Sequence, residues 1–281
     1  MIRVVGDTAG MLCLPAFRRT RAVFDPQGLH FLRRSKGPRA ELVRRRVRAV
    51  VAASRRTICS STAEREELIA LAGAEFAERL VEVPNGIRVP AEPSAVERAR
   101  AREGLGLDES TVAGLYLGQL EPRKQVLTAV RAAELAAERA PFVLLVAGEG
   151  PQAEAVTRHS GPVVRPLGFR RDPERLLAAA DIFVMPSERE GLSLAVLEAM
   201  AHGLATVVSD GAGNPEAVGD AGVVVPVADA NALSEALVDL SVDANERSRL
   251  GAAARERTLS QFGAERYLRD LQSVFEAALR S

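Results

Sequence analysis

From Thr111 onward, short apolar runs alternate with amphipathic stretches. The runs at 112–118 (VAGLYLG), 142–148 (FVLLVAG), 163–168 (VVRPLG), 181–185 (DIFVM), 205–208 (ATVV) and 222–225 (GVVV) are bounded by Gly, Pro or Asp. Runs of this kind suit strands buried on both faces of a parallel sheet. Between them, 124–139, 172–180, 194–202 and 229–241 carry apolar residues at helical spacing, as in Leu127, Val130, Ala133 and Ala137. Two more helices are predicted at about 244–260 and 264–280, with Gly263 as the break. The alternation predicts a doubly wound α/β domain, with its ligand beyond the carboxyl ends of the strands.

The front of the chain is patterned more sparsely. Val4-Val5 and Ala22-Val23-Phe24 read as strand fragments. Residues 38–53 read as a basic helix whose apolar stripe is Leu42, Val43, Val47, Val50 and Val51. TICSS (57–61) reads as a strand, 63–73 as a helix stopping at Gly73, and RLVEVPNGI (79–87) as a strand running into a turn. Three or four strands in 84 residues make a thin sheet, half a domain by itself. The expected organisation is therefore a partial Rossmann-like domain over 1–84, a complete one over 85–262, and a C-terminal helix over 263–281 that packs back towards the first.

Composition narrows the class without deciding it. In 281 residues, 47% hydrophobic and 26% charged residues are ordinary for a globular protein. No apolar run approaches the roughly 18 residues of a bilayer span. Arg3 and Asp7 interrupt the N-terminal stretch, which makes a poor signal peptide. Cys13 and Cys59 lack metal-ligand spacing and read as reduced thiols of a cytoplasmic protein. The net charge is zero, yet residues 1–60 hold fourteen Lys/Arg against three Asp/Glu, leaving the remainder acidic. Arg44, Arg45, Arg46 and Arg48 on a helix suit either a solvated face or an anionic membrane surface, with 38–56 as the peripheral contact. Nucleic acid is disfavoured, because 4% aromatic residues provide no stacking platform.

The most informative segment for chemistry is PSEREGLSLAVLEAMAHG, Pro186 to Gly203. It follows a predicted strand and enters a helix with Ser193 as its cap and Gly203 as its stop. Free N–H groups at such a helix start bind phosphate, and Gly191 permits close backbone approach. Glu190 and Glu198 flank that start, and carboxylates accept strongly from sugar hydroxyls. From the residues alone, ordinary loop and helix-surface roles remain equally open. A second segment, LGQLEPRKQV (117–126), places Gly118 at a strand end, with Lys124 a few residues on as a mobile positive charge.

These segments resemble the retaining glycosyltransferases of family 4, also called the glycosyltransferase group 1 family, of two-Rossmann GT-B architecture. The resemblance runs from about Thr57 to Ala264. It rests on an E-x7-E motif at Glu190–Glu198, on AADIFVMPS (179–187), EAMAHGLATVVSD (198–210), GNPEAV (213–218), AGEGP (147–151), and on the Pro84-Asn85-Gly86 turn. It implies that Glu198 binds the ribose hydroxyls, that Glu190 contacts the donor sugar, and that amides near Gly191, Leu192 and Ser193 hold the distal phosphate. Lys124, with Arg123 beside it, would contact phosphate, and the loop Val164 to Phe169, with Leu167 in it, would lie against the nucleobase and read it through the backbone. No metal and no cofactor are implied beyond the donor itself, since amides and basic side chains neutralise the leaving diphosphate. The implied partners are a nucleotide-sugar donor and a saccharide, lipid-linked or small-molecule hydroxyl acceptor.

The sequence also departs from the family. Its pattern Gly-Arg-Leu-x-x-x-Lys-Gly reads here Gly118, Gln119, Leu120, Lys124 and Gln125, so the motif arginine and the last glycine are both glutamine. Gln27 stands where relatives often carry a histidine, and His30 falls three residues late. The stretch 2–14 resembles the middle strand of the front domain, with no counterpart to the opening strands or glycine loop. Two functions are therefore carried forward, a retaining transferase and a nucleotide-sugar-binding remnant of one. An incomplete sheet is also expected to self-associate through its exposed edge.

Overall fold

The computed structural model describes residues 1–17, 19–29, 35 and 37–280. The chain forms two compact units, one of residues 1–86 with 264–281 and the other of 87–263. The boundaries lie two residues and one residue beyond the expected ones, so the Pro84-Asn85-Gly86 turn stays with the first unit and Gly263 with the second.

The first unit holds a four-stranded parallel sheet ordered β1-β2-β3-β4, with β1 Ile2–Val5, β2 Ala22–Asp25, β3 Arg56–Cys59 and β4 Leu80–Glu82. Helices Gly37–Ala53 and Thr62–Ala72 help bury one apolar cluster around Phe24, Val47, Val50 and Leu68. The C-terminal helix Ala264–Arg280 builds a second cluster, in which Leu271, Val274 and Ala278 meet Val23, Ile58 and Val83. Leu42 does not join the stripe assigned to it. It is 55% exposed, while Val43, Val47, Val50 and Val51 are buried. Residue 42 sits one step around the helix from 43, and about 100° of rotation takes it out of the buried arc. His30 lies outside the described residues.

The second unit is a six-stranded parallel sheet, β10-β9-β8-β5-β6-β7. Its strands are β5 Val112–Leu117, β6 Phe142–Ala147, β7 Val164–Gly168, β8 Ile182–Met185, β9 Ala205–Ser209 and β10 Val223–Val225. Every residue of β6, β8 and β9 is buried, which is why those segments read as continuous apolar runs. Helices Val126–Ala137, Pro173–Ala179, Leu194–Ala201 and Ala230–Val242 connect the strands, and Ala244–Gln261 follows.

Helix Ala95–Glu103 has no counterpart in the apolar pattern, because charge docks it. Ser94 and Glu97 close a capping box at its start. Arg98 and Arg102 donate to the Asp181 carboxylate at 2.5 and 3.0 Å, and Asp181 also accepts from the Ala113 amide at 2.8 Å. One aspartate thus ties a polar helix to the edges of β5 and β8.

Candidate donor-binding site

In order of appearance the strands of the second sheet run third, second, first, fourth, fifth, sixth. The strand order therefore reverses between β5 and β8, which opens a crevice beyond their carboxyl ends. A cavity of about 790 Å³ lies there, walled by Gly118 and Gln119 after β5, Gly148 to Gly150 after β6, Phe169 and Arg170 after β7, and Leu194, Ala195 and Glu198 of the helix after β8.

Close packing of main chain forms its floor. A Cβ at Gly148, where φ is +148°, would overlap the Gly118 carbonyl oxygen. The glycine thus lets the turns after β5 and β6 touch. Tyr116, fully buried beneath them, donates its hydroxyl to the Gln119 carbonyl at 2.9 Å. Burial pushes the phenol well above its ordinary range, so it stays protonated as a donor.

Glu198 stands on the cavity wall, partly buried on helix Leu194–Ala201. Among the described residues its carboxylate has no hydrogen-bond or ion-pair partner. Burial raises its pKa, and the charge of Glu174 adds to the rise. A half-buried carboxylate without a partner is a strong acceptor held ready for a ligand's donors.

Glu190 is 5% exposed and receives a hydrogen bond from Lys124 Nζ at 2.5 Å. The loop around it is held from two sides. The Arg123 carbonyl accepts from the Glu188 amide at 2.9 Å, and Gln125 Nε2 donates to Glu188 at 2.5 Å. On the other side, the Glu190 amide donates to the Ala212 carbonyl at 2.8 Å, while Ser209 and Asn214 donate to the Ser187 carbonyl. Gly213, at φ +86°, packs so tightly on Gly191 that a Cβ would overlap the Gly191 carbonyl oxygen. The GNPEAV segment therefore shapes the glutamate loop.

The expected site residues do not all converge. Gly118, Gln119 and Glu198 line the cavity; Lys124 and Glu190 pair with each other in the adjoining loop. Gly191 and Leu192 are buried at the approach to the helix, and Ser193 occupies its cap position without a side-chain capping bond. Arg123 does not line the cavity and donates at 2.9 Å to Glu121, which does. Leu167 does not line the cavity. A register shift makes Ala147 pair with Gly168 directly after Val146 pairs with Pro166, so the ladder skips Leu167 and its side chain packs on the core. Phe169 and Arg170 line the cavity instead. Phe169 closes the loop Val164 to Phe169 that the resemblance singles out, and Arg170 follows it directly.

Residues 112–243 match the family model of Glycosyl transferases group 1. The second unit thus carries a glycosyl transferases group 1 domain. Outside the family model, the chain is 32% identical over 201 residues to the GDP-mannose-dependent monoacylated alpha-(1-6)-phosphatidylinositol monomannoside mannosyltransferase of Corynebacterium glutamicum, covering 65% of this chain and 52% of that protein. The chain spans about half the length of the curated relatives it matches first. Sucrose-phosphate synthase from Thermosynechococcus elongatus superposes with a TM-score of 0.85 at 24% identity, covering 100% of this chain and 74% of that one. HepE from Anabaena, in complex with UDP and glucose, gives 0.84 at 19% identity, covering 98% and 78%. These likenesses show an α/β fold with parallel sheets, that of the GT-B glycosyltransferases.

Within the group 1 domain, both motif glutamates and the lysine lie inside the matched span. No helix among the described residues is long and apolar enough to cross a membrane.

Proposed function

We propose that this chain is a retaining glycosyltransferase of family 4, which moves a sugar from a nucleotide diphosphate donor to a hydroxyl acceptor without a divalent metal. The observation that carries the reading is Glu198, an unpartnered, half-buried carboxylate in the switch-point cavity. It accepts from the ribose hydroxyls of the donor. Gly118 and the amides at the start of helix Leu194–Ala201 let the diphosphate approach main chain, and Lys124 meets its charge. Glu190, placed beside Lys124, faces the transferred sugar and stabilises positive charge developing at the reacting carbon. The Corynebacterium relative, named as GDP-mannose-dependent, and the HepE complex with UDP and glucose support a nucleotide-sugar donor.

The acceptor class stays broad, a saccharide, a small molecule or a lipid-linked hydroxyl. The last is supported by the relative's phosphatidylinositol mannoside substrate and by the exposed arginines of helix Gly37–Ala53, which we assign to peripheral contact with anionic lipid. Ile2 and Val5, exposed on edge strand β1, are the proposed surface for self-association.

Calorimetry against UDP, GDP and ADP, with and without chelator, tests the donor site. At least one should bind, and chelator should change nothing. Failure of all three with folded protein would sink the reading. Donor turnover and the anomeric configuration of the product, followed by NMR, then test transfer. Gln119 supports a second reading, binding without turnover, because an amide brings no charge to the diphosphate. Nucleotide binding with no product from any acceptor class would select it.

A further inference from the structure

The turn after β5 has most of its main-chain groups committed to the protein. Gly118 and Leu120 donate their amides to the Ala147 and Glu149 carbonyls at 3.0 and 2.9 Å, and the Leu120 carbonyl accepts from the Gln152 amide at 2.9 Å. The Gly118 carbonyl oxygen faces the turn after β6, where a Cβ on Gly148 would overlap it. The peptide that carries this oxygen is trans, so its N–H, that of Gln119, points the opposite way, towards β8 and the crevice. Among the described residues that N–H has no hydrogen-bond partner, and Gln119 lines the cavity. The next peptide is gripped at both ends. Its N–H is the Leu120 donor to Glu149, and its oxygen accepts from the Tyr116 hydroxyl at 2.9 Å. That hydroxyl is buried under the turn, where a Cβ on Gly118 would lie 3.8 Å from it. Burial, and then the charge of Glu190, raise the phenol's pKa, so the group stays a donor across the physiological range.

We infer that Tyr116 is a positioning residue for the donor, which fixes the turn so that the Gln119 amide N–H is presented to the diphosphate. The inference rests on the donor-site reading above and adds a residue from the strand beneath it. With both peptides that flank residue 119 held, the N–H needs no reordering when an anion arrives. An amide hydrogen bond to an anion is stronger than one to a neutral acceptor. This contribution comes from the main chain, so it persists although residue 119 is a glutamine without charge.

Tyr116→Phe keeps the buried ring and removes only the hydroxyl, so the variant should fold. Of UDP, GDP and ADP, each one that the wild type binds should bind the variant about threefold to tenfold more weakly, the worth of one hydrogen bond. The matching nucleoside should lose less than about threefold. By NMR, the saturating diphosphate should slow hydrogen exchange of the Gln119 amide in the wild type, and slow it less in the variant. A loss below about threefold on the diphosphate, an equal loss on the nucleoside, or a wild-type Gln119 amide whose exchange the ligand leaves unchanged overturns the role of Tyr116 while leaving the donor site standing. The exchange measurement uses the wild type, so it decides even where the variant fails to fold. A wild type that binds none of the three diphosphates overturns the donor-site reading, and this inference with it.

Discussion

Lys124 and Glu190 are 66 positions apart in sequence and joined at 2.5 Å by a hydrogen-bonded ion pair whose side chains are 13% and 6% exposed. The pair is the centre of a three-residue grip, in which the Arg123 carbonyl and the Gln125 amide group hold Glu188 on either side of it. Under the proposed function, a donor reaching this loop would meet a lysine and a glutamate already fixed in position by each other. That preorganisation reduces the ordering that binding would otherwise require.

Breaking the pair from one side should be expensive. Lys124→Met leaves the Glu190 charge buried and uncompensated, and should destabilise the fold by roughly 3 kcal/mol. Lys124→Met combined with Glu190→Leu removes both charges and should recover most of that loss. Urea denaturation of the three proteins checks it. A double variant no more stable than the single one would show that the pair is not the source of the loss.

The two glutamates should separate by ligand. Glu198→Ala should weaken binding of the sugar-free nucleoside diphosphate by about tenfold to hundredfold, the worth of one charged hydrogen bond. Glu190→Gln, which keeps an acceptor for Lys124, should leave that binding nearly unchanged and act on the sugar-bearing donor. Calorimetry with both ligands decides. Equal losses on the sugar-free nucleotide would end this division of roles.

Glu198 also predicts a pH dependence. Its folded-state pKa is raised by burial and by Glu174. Its protonated form therefore favours folding below the ordinary carboxylate range, and that contribution is lost as pH rises through the raised value. Glu198→Gln, neutral throughout, should melt at a higher temperature than wild type at neutral pH, with the gap closing in acid. Nucleotide affinity of the wild type should rise over the same window as the carboxylate ionises. A gap that widens in acid would contradict the assignment.

Gln125 occupies the left-handed region at φ +53°, where the family pattern has glycine. A β-branched side chain tolerates that conformation poorly. Gln125→Val should therefore cost about 1–2 kcal/mol. Gln125→Gly should stay within about 0.5 kcal/mol of wild type, since relief of strain offsets the lost bond to exposed Glu188 and the entropy of glycine. Thermal unfolding of both variants provides the comparison. Equal losses would place the cost in the missing hydrogen bond rather than in the backbone.

Much of the fold and part of the site were legible in the linear chain. Doubly buried parallel strands must be apolar throughout, so the segments of β5, β6, β8 and β9 announced themselves, as did the helix that carries Glu198. The spacing of Glu190, Glu198 and Lys124 was likewise present as motif. Helix Ala95–Glu103 was not legible, because its docking depends on Arg98 and Arg102 meeting Asp181 some eighty residues away. Local periodicity carries no record of such a pairing. Leu42 misled for a related reason, since a run of neighbouring apolar residues does not say which one a neighbouring helix or strand will cover.

The amino-acid sequence thus determined which segments become strands and helices, and which residues carry charge next to a glycine turn. Tertiary structure alone decided which of those residues meet. It joined Lys124 to Glu190, turned Arg123 to Glu121, left Glu198 on the cavity wall without a partner among the described residues, and through a single register shift packed Leu167 on the core while Phe169 lines the cavity. The physical reason is that secondary structure follows from local burial and propensity, whereas a binding site is a convergence of chain segments, set by strand order and by packing between residues far apart in sequence.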